Sequence, residues 1–532
     1  MGSQKSTWVR HSLEGGWATA YGPTVDVAPG PDGTLRIPFL LEAENIDYVY
    51  PRGVRKIGGT TRVNTSDIVD SSTTITGLYD YWRQGTGGTP SRRRVCHAGT
   101  TIQADTDDKV FASIATGLES GAIPHYSTFD DFLIIGSSST TDVPRSWDQT
   151  TFQNLAGSPP RFSFSVPHKN RQWAAGVWTA PSTLYYSVSV NPEDWTGGGS
   201  GSIDIDPNDG DMITGIASYK NELIVFKGPY KGSIHRITGS SPSDFARSVF
   251  VRGLGATWQN SIVTFGDDLL WQWSTGSVHS LKATNAFGDY NQAYLTAPID
   301  PWIRTYLNKN RLKFTWAVND SVNSRVVFGM SRDCIQYNDI ILTYDYRFKD
   351  PPFEMGRWAL RTSSNAASVG YFVEGGASQR RVYVGGTNGR IRRIDEITRT
   401  IDGSSAYTSR ATLPTCTYGS AWMKKTIEGI GINQVPKGNY SATIGWTRDG
   451  MTQQTTTASL SGGDVLGSTF TWGSSVWGGN RYTSAFAGMT EDGGEFRGIQ
   501  YQLSQGGSDQ DMEILDLHVK VVPGGESISV DG

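Results

Sequence analysis

Residues 221–228 read NELIVFKG, a polar turn running straight into an apolar strand. The arrangement returns at 92–99 (RRRVCHAG), 130–136 (DDFLIIG), 170–177 (NRQWAAGV), 267–273 (DDLLWQW), 323–330 (NSRVVFGM) and 379–386 (QRRVYVGG). Successive copies start 38, 40, 51, 46, 56 and 56 residues apart, a range that brackets the length of a four-stranded propeller blade. One blade cannot bury both of its faces, so blades stack radially around an axis. The expected fold is all-β, a β-propeller of about seven blades with an N-terminal arm and a C-terminal β-sandwich. A propeller is a platform on which sites are built, so binding or structure is the first functional reading and catalysis needs its own argument.

Composition agrees with this class. The 63 glycines and 17 tryptophans suit tight turns between aromatic and β-branched strands. No long stretch has a 3.6-residue apolar period, and the best helical turn is short, around Pro301–Leu307. The net charge of −4 argues against tight, sequence-independent binding to a nucleic-acid backbone, which requires clustered positive charge. Charge is uneven along the chain. Residues 1–100 hold 11 Lys/Arg against 9 Asp/Glu, and residues 101–220 hold 6 against 14, a local net of −8. Either the early blades present an acidic surface or those residues are ordinary solvated loops. Cys96, Cys334 and Cys416 are odd in number and widely separated, so neither a disulfide framework nor a zinc spacing is expected, and assembly in a reducing cytoplasm fits. No apolar run approaches a membrane span, and the first residues, MGSQKSTWVRHSLEGGW, lack an apolar signal core.

Four regions are expected. Residues 1–70 form an arm, with strands at Leu35–Leu41 and on both sides of the Pro51-Arg52-Gly53 turn. That arm either closes the ring against the last blade or crosses to a neighbouring subunit. Residues 71–405 form the propeller, with insertions near 283–320 and 331–358; the first is the best candidate for a partner-contacting loop. Hairpins are expected at Gly266-Asp267-Asp268 and Gly386-Thr387-Asn388-Gly389. Trp147, Trp195 and Trp358 sit by turns and are read as packing between blades. Residues 406–523 form a sandwich of six to eight strands, in which IQYQLSQ and ILDLHVKV alternate with period two. Residues 524–532 read as a disordered tail.

Each motif that suggests chemistry has a structural reading beside it. Asp204-Ile205-Asp206-Pro207-Asn208-Asp209-Gly210-Asp211 spaces oxygens as a calcium loop does. The EF-hand pattern fails, however, because its glycine comes one place late and Gly215 stands where the closing glutamate belongs. A glycosidase needs two carboxylates facing across a pocket. Asp130, Asp131, Asp267, Asp268 and Asp345 lie near strand ends, but the Asp-Asp pairs fall in hairpin turns that favour aspartate. Thr490–Phe496 loosely resembles a sialidase Asp-box, yet it occurs once and outside the blades. No phosphate-binding G-x-x-x-x-G-K-S/T and no G-x-S-x-G elbow is present. His11, His97, His125, His168, His235, His279 and His518 show no metal-binding spacing. Arg92, Arg93 and Arg94, with Arg390, Arg392 and Arg393, would either touch phosphates or form ion pairs on strand faces. No catalytic, cofactor-binding or metal-ligating residue is assigned, no cofactor is expected, and the chain is not expected to be an enzyme.

Taken in order, several segments resemble the β-propeller tail nozzle and packaged-DNA stabilisation (head-completion) proteins of short-tailed bacteriophages. They are NIDYVYPRGVRKIGGTTRVN (45–64), ITGLYDYW (75–82), RRVCHAGTTIQ (93–103), FDDFLIIGSSSTTDVPRSWD (129–148), LYYSVSVNPEDW (184–195), DGDMITGIASYKNELIVFKGPYKGSIHRITG (209–239) and the closing EFRGIQYQLSQ and EILDLHVKVVPGG. The motifs are short and degenerate but span most of residues 35–523 in order. The resemblance implies a structural virion protein assembled in the host bacterial cytoplasm. It implies a homo-oligomeric ring of six copies in the tail, below the portal and its adaptor protein. Tail fibre, needle or distal tail proteins would attach to it, and double-stranded DNA would be retained behind it and later pass without sequence readout. The same architecture serves as nozzle, plug or distal hub. Two other readings stay open: a propeller degrading host-surface polysaccharide, and a carbohydrate-binding adhesin using Trp178, Trp195 or Trp477 as stacking platforms.

Overall fold

The computed structural model describes residues 7–13, 15–25, 32–36, 39–49, 53–85, 88–105, 109–282, 284, 294–348, 356–363, 366–373, 380–460, 483–487 and 494–524. They divide into two compact units, one of Thr61–Leu342 with Ser364–Ile394 and one of Met1–Thr60, Thr343–Ser363 and Asp395–Gly532.

The first unit is a seven-bladed β-propeller. Blade 1 is Ile75–Arg83, Ser91–Ala98, Thr101–Ala104 and Ala112–Ala115, paired in that order. Blade 2 is Pro124–Phe129, Phe132–Ser137, Arg145–Trp147 and Phe152–Asn154; blade 3 is Phe164–His168, Arg171–Ala175, Thr183–Tyr186 and Gly201–Asp204. Blade 4 is Met212–Tyr219, Glu222–Gly228, Ser233–Thr238 and Ala246–Arg252. Blade 5 has three strands among the described residues, Val263–Phe265, Asp268–Gln272 and Val278–Ser280. Blade 6 begins Trp316–Asp320, Arg325–Met330 and Ile340–Asp345, and blade 7 is Ser368–Val373, Arg380–Gly385, Ile391–Glu396 and Gly59–Arg62. The first strands of blades 1, 2, 3 and 4 pack against one another in turn, those of 5, 6 and 7 do the same, and blade 7 returns to blade 1.

The seven apolar runs are the second strand of each blade, and their lack of alternation has a simple cause. Such a strand has a neighbouring blade on both faces, so both sets of alternating side chains are buried. In blade 4, Leu223 and Val225 face the blade 3 side with Phe164 and Trp173, while Ile224 and Phe226 join Leu269 and Trp271 of blade 5. In blade 2, Leu133 and Ile135 pack with Tyr81 and Val95 of blade 1, whereas Ile134 packs with Ala174 of blade 3. Blade 7 repeats this, with Val382 and Val384 towards blade 6 and Tyr383 towards blade 1.

The ring is closed by the arm. Gly59–Arg62 is the last strand of blade 7, and just beyond it the Val63 amide donates to the Ile391 carbonyl at 2.9 Å. The Asn64 side chain donates to the Gly389 carbonyl at 2.8 Å and accepts from the Ile391 amide at 2.8 Å. Gly389 has φ +64, and a Cβ there would lie 2.3 Å from the Asp70 carbonyl oxygen, so the expected Gly386–Gly389 turn requires glycine at this place.

The second unit is a β-sandwich drawn from both ends of the chain. One sheet orders Thr34–Arg36, Thr7–Ser12, Glu513–Pro523, Lys425–Gln434 and Thr483–Ala487, with Val54–Lys56 and Ile46–Tyr48 attached at Glu513 and Ile514. The other contains Arg357–Arg361, Glu42–Glu44, Ser409–Thr412, Ile499–Gln505, Thr415–Cys416 and Thr24–Val25, with Ser441–Arg448 and Gln454–Ser459. The period-two reading of Ile499–Gln505 is reproduced in its alternating burial. His11 marks the interior, its ring edge-on to Tyr418 and Tyr501 at 5.5 and 5.2 Å.

This division differs from the expected 1–70, 71–405 and 406–523. Residues before Thr60 are not a separate arm, because strands such as Thr7–Ser12 supply edges that the C-terminal strands need. The insertion expected at 331–358 lies partly in the sandwich unit, which takes Thr343–Ser363. The expected Leu35–Leu41 strand splits into Thr34–Arg36 and Phe39–Leu40 on either side of Pro38. The short helix expected near Pro301 spans Asp300–Tyr306, and the rest of its insertion at 285–293 lies outside the described residues, as does the tail 525–532. Among the described residues no helix is long and apolar enough to cross a membrane.

Candidate functional site

The innermost strands begin at one end of the propeller, and there they surround a cavity of about 700 Å³. Its wall comes from blade 1 (Ser72–Thr74, Thr76–Tyr79), blade 2 (Ser120, Ile123–Tyr126), the turn before blade 5 (Gln259, Asn260), blade 6 (Arg311, Phe314, Trp316) and blade 7 (Ala367–Val369). Hydroxyls and amides dominate this wall. Among the described residues it contains Arg311 and no carboxylate. His125 also lines it, but burial lowers its pKa to about 4, so the ring is neutral at pH 7.

Several wall groups are fixed by the fold. Gln259 accepts from the Ile216 amide and donates to the Ile216 carbonyl, at 2.7 and 2.9 Å. Tyr79 stacks on Tyr126 at 5.5 Å and shares a hydrogen bond with Thr128. The Trp316 indole donates to the Ala366 carbonyl at 2.9 Å. The Arg311 guanidinium lies 4.1 Å over the Phe314 ring and donates from Nη1 to the Ile335 carbonyl. Three buried polar atoms of the wall have no hydrogen-bond partner: Tyr126 Oη, Ser368 Oγ and Arg311 Nε.

The motifs singled out from sequence do not converge on this cavity. The Asp204–Asp211 loop gathers oxygens around a cation, but that cation is the ammonium of Lys227. Its Nζ lies 2.7 Å from the carbonyls of Ile205 and Asp206, 2.8 Å from an Asp209 carboxylate oxygen and 3.2 Å from Ser182 Oγ. Asp211 instead accepts from the amides of Tyr230, Lys231 and Gly232. Among the described residues no cluster of three His, Cys, Asp or Glu is placed to hold a metal. Asp130 and Asp131 both have positive φ, 50° and 63°, the geometry of a two-residue hairpin turn. The Asp131 carboxylate accepts from the amides of Gln84 and Gly85. Asp267 pairs with Lys282, Asp268 accepts from Ser280 and the Lys282 amide, and Asp345 pairs with Arg347. These carboxylates are spent on turns and ion pairs, not on a shared pocket.

In the arginine runs Arg92, Arg94 and Arg392 are buried, and Arg93, Arg390 and Arg393 are partly exposed. Arg92 pairs with Asp80 at 2.7 Å and Arg94 with Asp105 at 2.6 Å, both out of solvent, and Arg390 lies 3.7 Å from Asp67. The acidic excess of 101–220 is correspondingly reduced. Asp105, Asp148, Asp206 and Asp209 are answered by Arg94, Arg83, Arg247 and Lys227, all from outside that segment. Of the stacking candidates, Trp195 is buried against Phe162 between blades 2 and 3, so it offers no open ring face. Trp147 likewise packs between blades 1 and 2. Trp358 departs from the inter-blade expectation: it lies in the sandwich unit against Tyr344. Trp178 is 47 % exposed. Trp477 and Thr490–Gly493 of the Asp-box-like stretch lie outside the described residues.

The cavity was missed in sequence because its residues come from the ends of five separate blades. The only signal was the propeller itself, whose axis brings the starts of the inner strands together.

No family model matches the chain, and no curated protein matches it. Among solved structures it is similar to the computationally designed Ika8 protein, at 11 % identity over 63 % of this chain and 99 % of that one, with a TM-score of 0.35. It is similar to YCF48 bound to D1 peptide, at 9 % identity over 64 % and 97 %, with a TM-score of 0.38. A third likeness is to the β-propeller domain of Cps50 (Swd1) from Myceliophteria thermophila, at 11 % identity over 64 % and 99 %, with a TM-score of 0.37. At this level the likenesses carry no statement about function.

Proposed function

We propose that the chain is a structural virion protein of a tailed bacteriophage. Six copies form a ring in the tail that extends the DNA channel below the portal and adaptor, retains packaged DNA and carries other tail parts. The observation that supports this reading most is the course of the chain. It passes between the two units four times, after Thr60, Leu342, Ser363 and Ile394. The first and the last described strands, Thr7–Ser12 and Glu513–Pro523, pair in the same sheet of the sandwich, and neither unit is a bead on a single linker. Such weaving ties the folding of the two units together, as suits a structural part. The internal pairing of the candidate carboxylates and arginines also fits a scaffold better than a polysaccharide-degrading enzyme, which needs two free carboxylates across one pocket.

Sedimentation of the purified full chain tests this. The expected result is a species of six copies that persists on dilution. A chain that sediments as a monomer, alone and with a portal–adaptor template, would overturn the reading.

A further inference from the structure

We propose that the cavity end of the propeller carries both halves of the contact between neighbouring copies of this chain. An acidic pole around Trp178, on blades 2 and 3, docks on a basic pole around Ile335, at blade 6 of the next copy. The inference rests on the ring reading above and names the faces by which the ring closes.

The Trp178 indole donates to the Ser138 carbonyl at 3.3 Å, which holds its ring in place while the residue stays 47 % exposed. Next to Ser138, Ser139 donates to the Glu119 carboxylate at 2.5 Å, and the Asp142 carboxylate accepts from the Glu119 amide at 3.1 Å. Asp204 accepts from the Thr183 hydroxyl, and the Thr183 amide donates to Ala180, just beyond Trp178. Glu193 and Asp194 precede Trp195, which packs with Val177 and Ala180. Arg161 reaches these loops through the Thr140 carbonyl, and Arg145 bonds Asn154. Five carboxylates against two guanidinium groups leave this pole acidic.

The basic pole is the 3₁₀ segment Lys309–Phe314, which leads into blade 6. Lys309 and Lys313 are exposed, and among the described residues neither pairs with a carboxylate. Nearby Arg304 and Arg332 are already paired, with Asp300 and Asp333. Arg311 donates to the carbonyl of Ile335, which is 77 % exposed, so an apolar side chain stands among the cations. Asp339 in the same loop accepts the amides of Arg332 and Asp333. Both poles lie at the cavity end, since Ser120 and Gly121 beside Glu119 line the cavity, as does Arg311. Blades 7 and 1 separate the poles in one direction and blades 4 and 5 in the other, so they face opposite ways across the cavity. Two different surfaces on opposite sides of a subunit make a head-to-tail contact, and repeated contacts of that kind close into rings. Each pole sets a large apolar side chain among charges of one sign, and the signs are opposite. Docking buries Trp178 against Ile335 and pairs the charges around them, an apolar centre within a polar rim. The chain itself supplies the complementary surface, so the partner is a second copy.

Sedimentation of full chains with exchanged charges tests the contact, alone and on a portal–adaptor template. Lys309→Glu with Lys313→Glu turns the basic pole acidic, and Glu119→Arg with Asp204→Arg turns the acidic pole basic. Each double variant is expected to associate about tenfold more weakly than the unaltered chain. Its melting temperature should be unchanged, because all four side chains are exposed. Mixed in equal amounts, the two variants are expected to regain full association, because the altered poles complement one another and so do the untouched ones. A misfolded variant cannot give that rescue. Variants that assemble as the unaltered chain does, or a mixture that stays apart, overturn this contact and leave the ring reading standing. An unaltered chain that stays at 58.0 kDa, with and without the template, overturns the ring reading and this contact with it.

Discussion

Lys227 has a side chain fully withdrawn from solvent, and its ammonium is hydrogen-bonded to four oxygens. Burying an ammonium is costly unless it is paired and hydrogen-bonded, and the Asp204–Asp211 turn does both. Replacing it with methionine keeps the apolar stem but leaves two carbonyls and a carboxylate facing a methyl group. Lys227→Met is therefore expected to lower stability by about 3 kcal/mol, read from the denaturant midpoint, and no shift would contradict the cage. The sequence displayed the oxygens of this loop but not the cation, because Lys227 belongs to the next blade and reaches back across the turn. The histidines make a second residue-scale prediction. Burial lowers the pKa of His97, His125, His168, His235 and His279 to about 4, against about 6.5 in an unfolded chain. Between those values the unfolded chain binds more protons than the folded one, so stability is complete above 6.5 and is lost as pH falls towards 4. His279 lies between the faces of Trp271 and Tyr294, at 5.9 and 5.4 Å. The melting temperature should fall across this window, and His279→Gln should make the fall shallower; a flat profile from pH 6.5 to 4 would contradict it.

Strands of the blades were the most legible elements, because burial on both faces leaves an apolar run that no loop imitates. RVVFGM at Arg325–Met330 is buried throughout its length. The role of such a run is testable at Phe226, which packs on Trp271 at 5.2 Å. Phe226→Ala should cost about 4 kcal/mol, well beyond any exposed substitution. Less legible was the destination of the arm. Its sequence predicts strand, turn and strand, but whether the last strand stays with its own chain depends on a partner more than 300 residues away. Asn64 decides this by bonding both the Gly389 carbonyl and the Ile391 amide. Asn64→Ala leaves the buried Ile391 amide unanswered, while the Gly389 carbonyl keeps the Ile68 amide, and should cost about 2 kcal/mol in unfolding measurements; an unchanged midpoint would mean the closure does not rely on it. The Asp-Asp turns explain why a glycosidase reading suggests itself from sequence. Two consecutive positive φ values select Asp, Asn or Gly, so Asp130 and Asp131 answer to the backbone before any chemistry.

At the scale of the whole molecule, the propeller was readable from the spacing of its repeats, while the second unit was readable only in its C-terminal half. Period-two strands after residue 406 announced a sandwich, but the segments completing it, Met1–Thr60 and Thr343–Ser363, carry short strands whose pattern is too brief to assign. Local charge misled for a similar reason. The net of −8 over 101–220 counts aspartates whose partners, such as Arg94, Lys227 and Arg247, lie elsewhere in the chain. The weaving of the two units gives the proposed role its physical sense: a tail component must stay folded while connected to parts above and below it. That role requires a closed assembly around a passage. Mass photometry of the full chain, with negative-stain images of the same sample, tests it most directly. The account predicts particles of six times 58.0 kDa with a central hole wide enough for a DNA duplex. A population confined to the 58.0 kDa chain at the highest soluble concentration, still solitary beside a portal–adaptor complex, would contradict it.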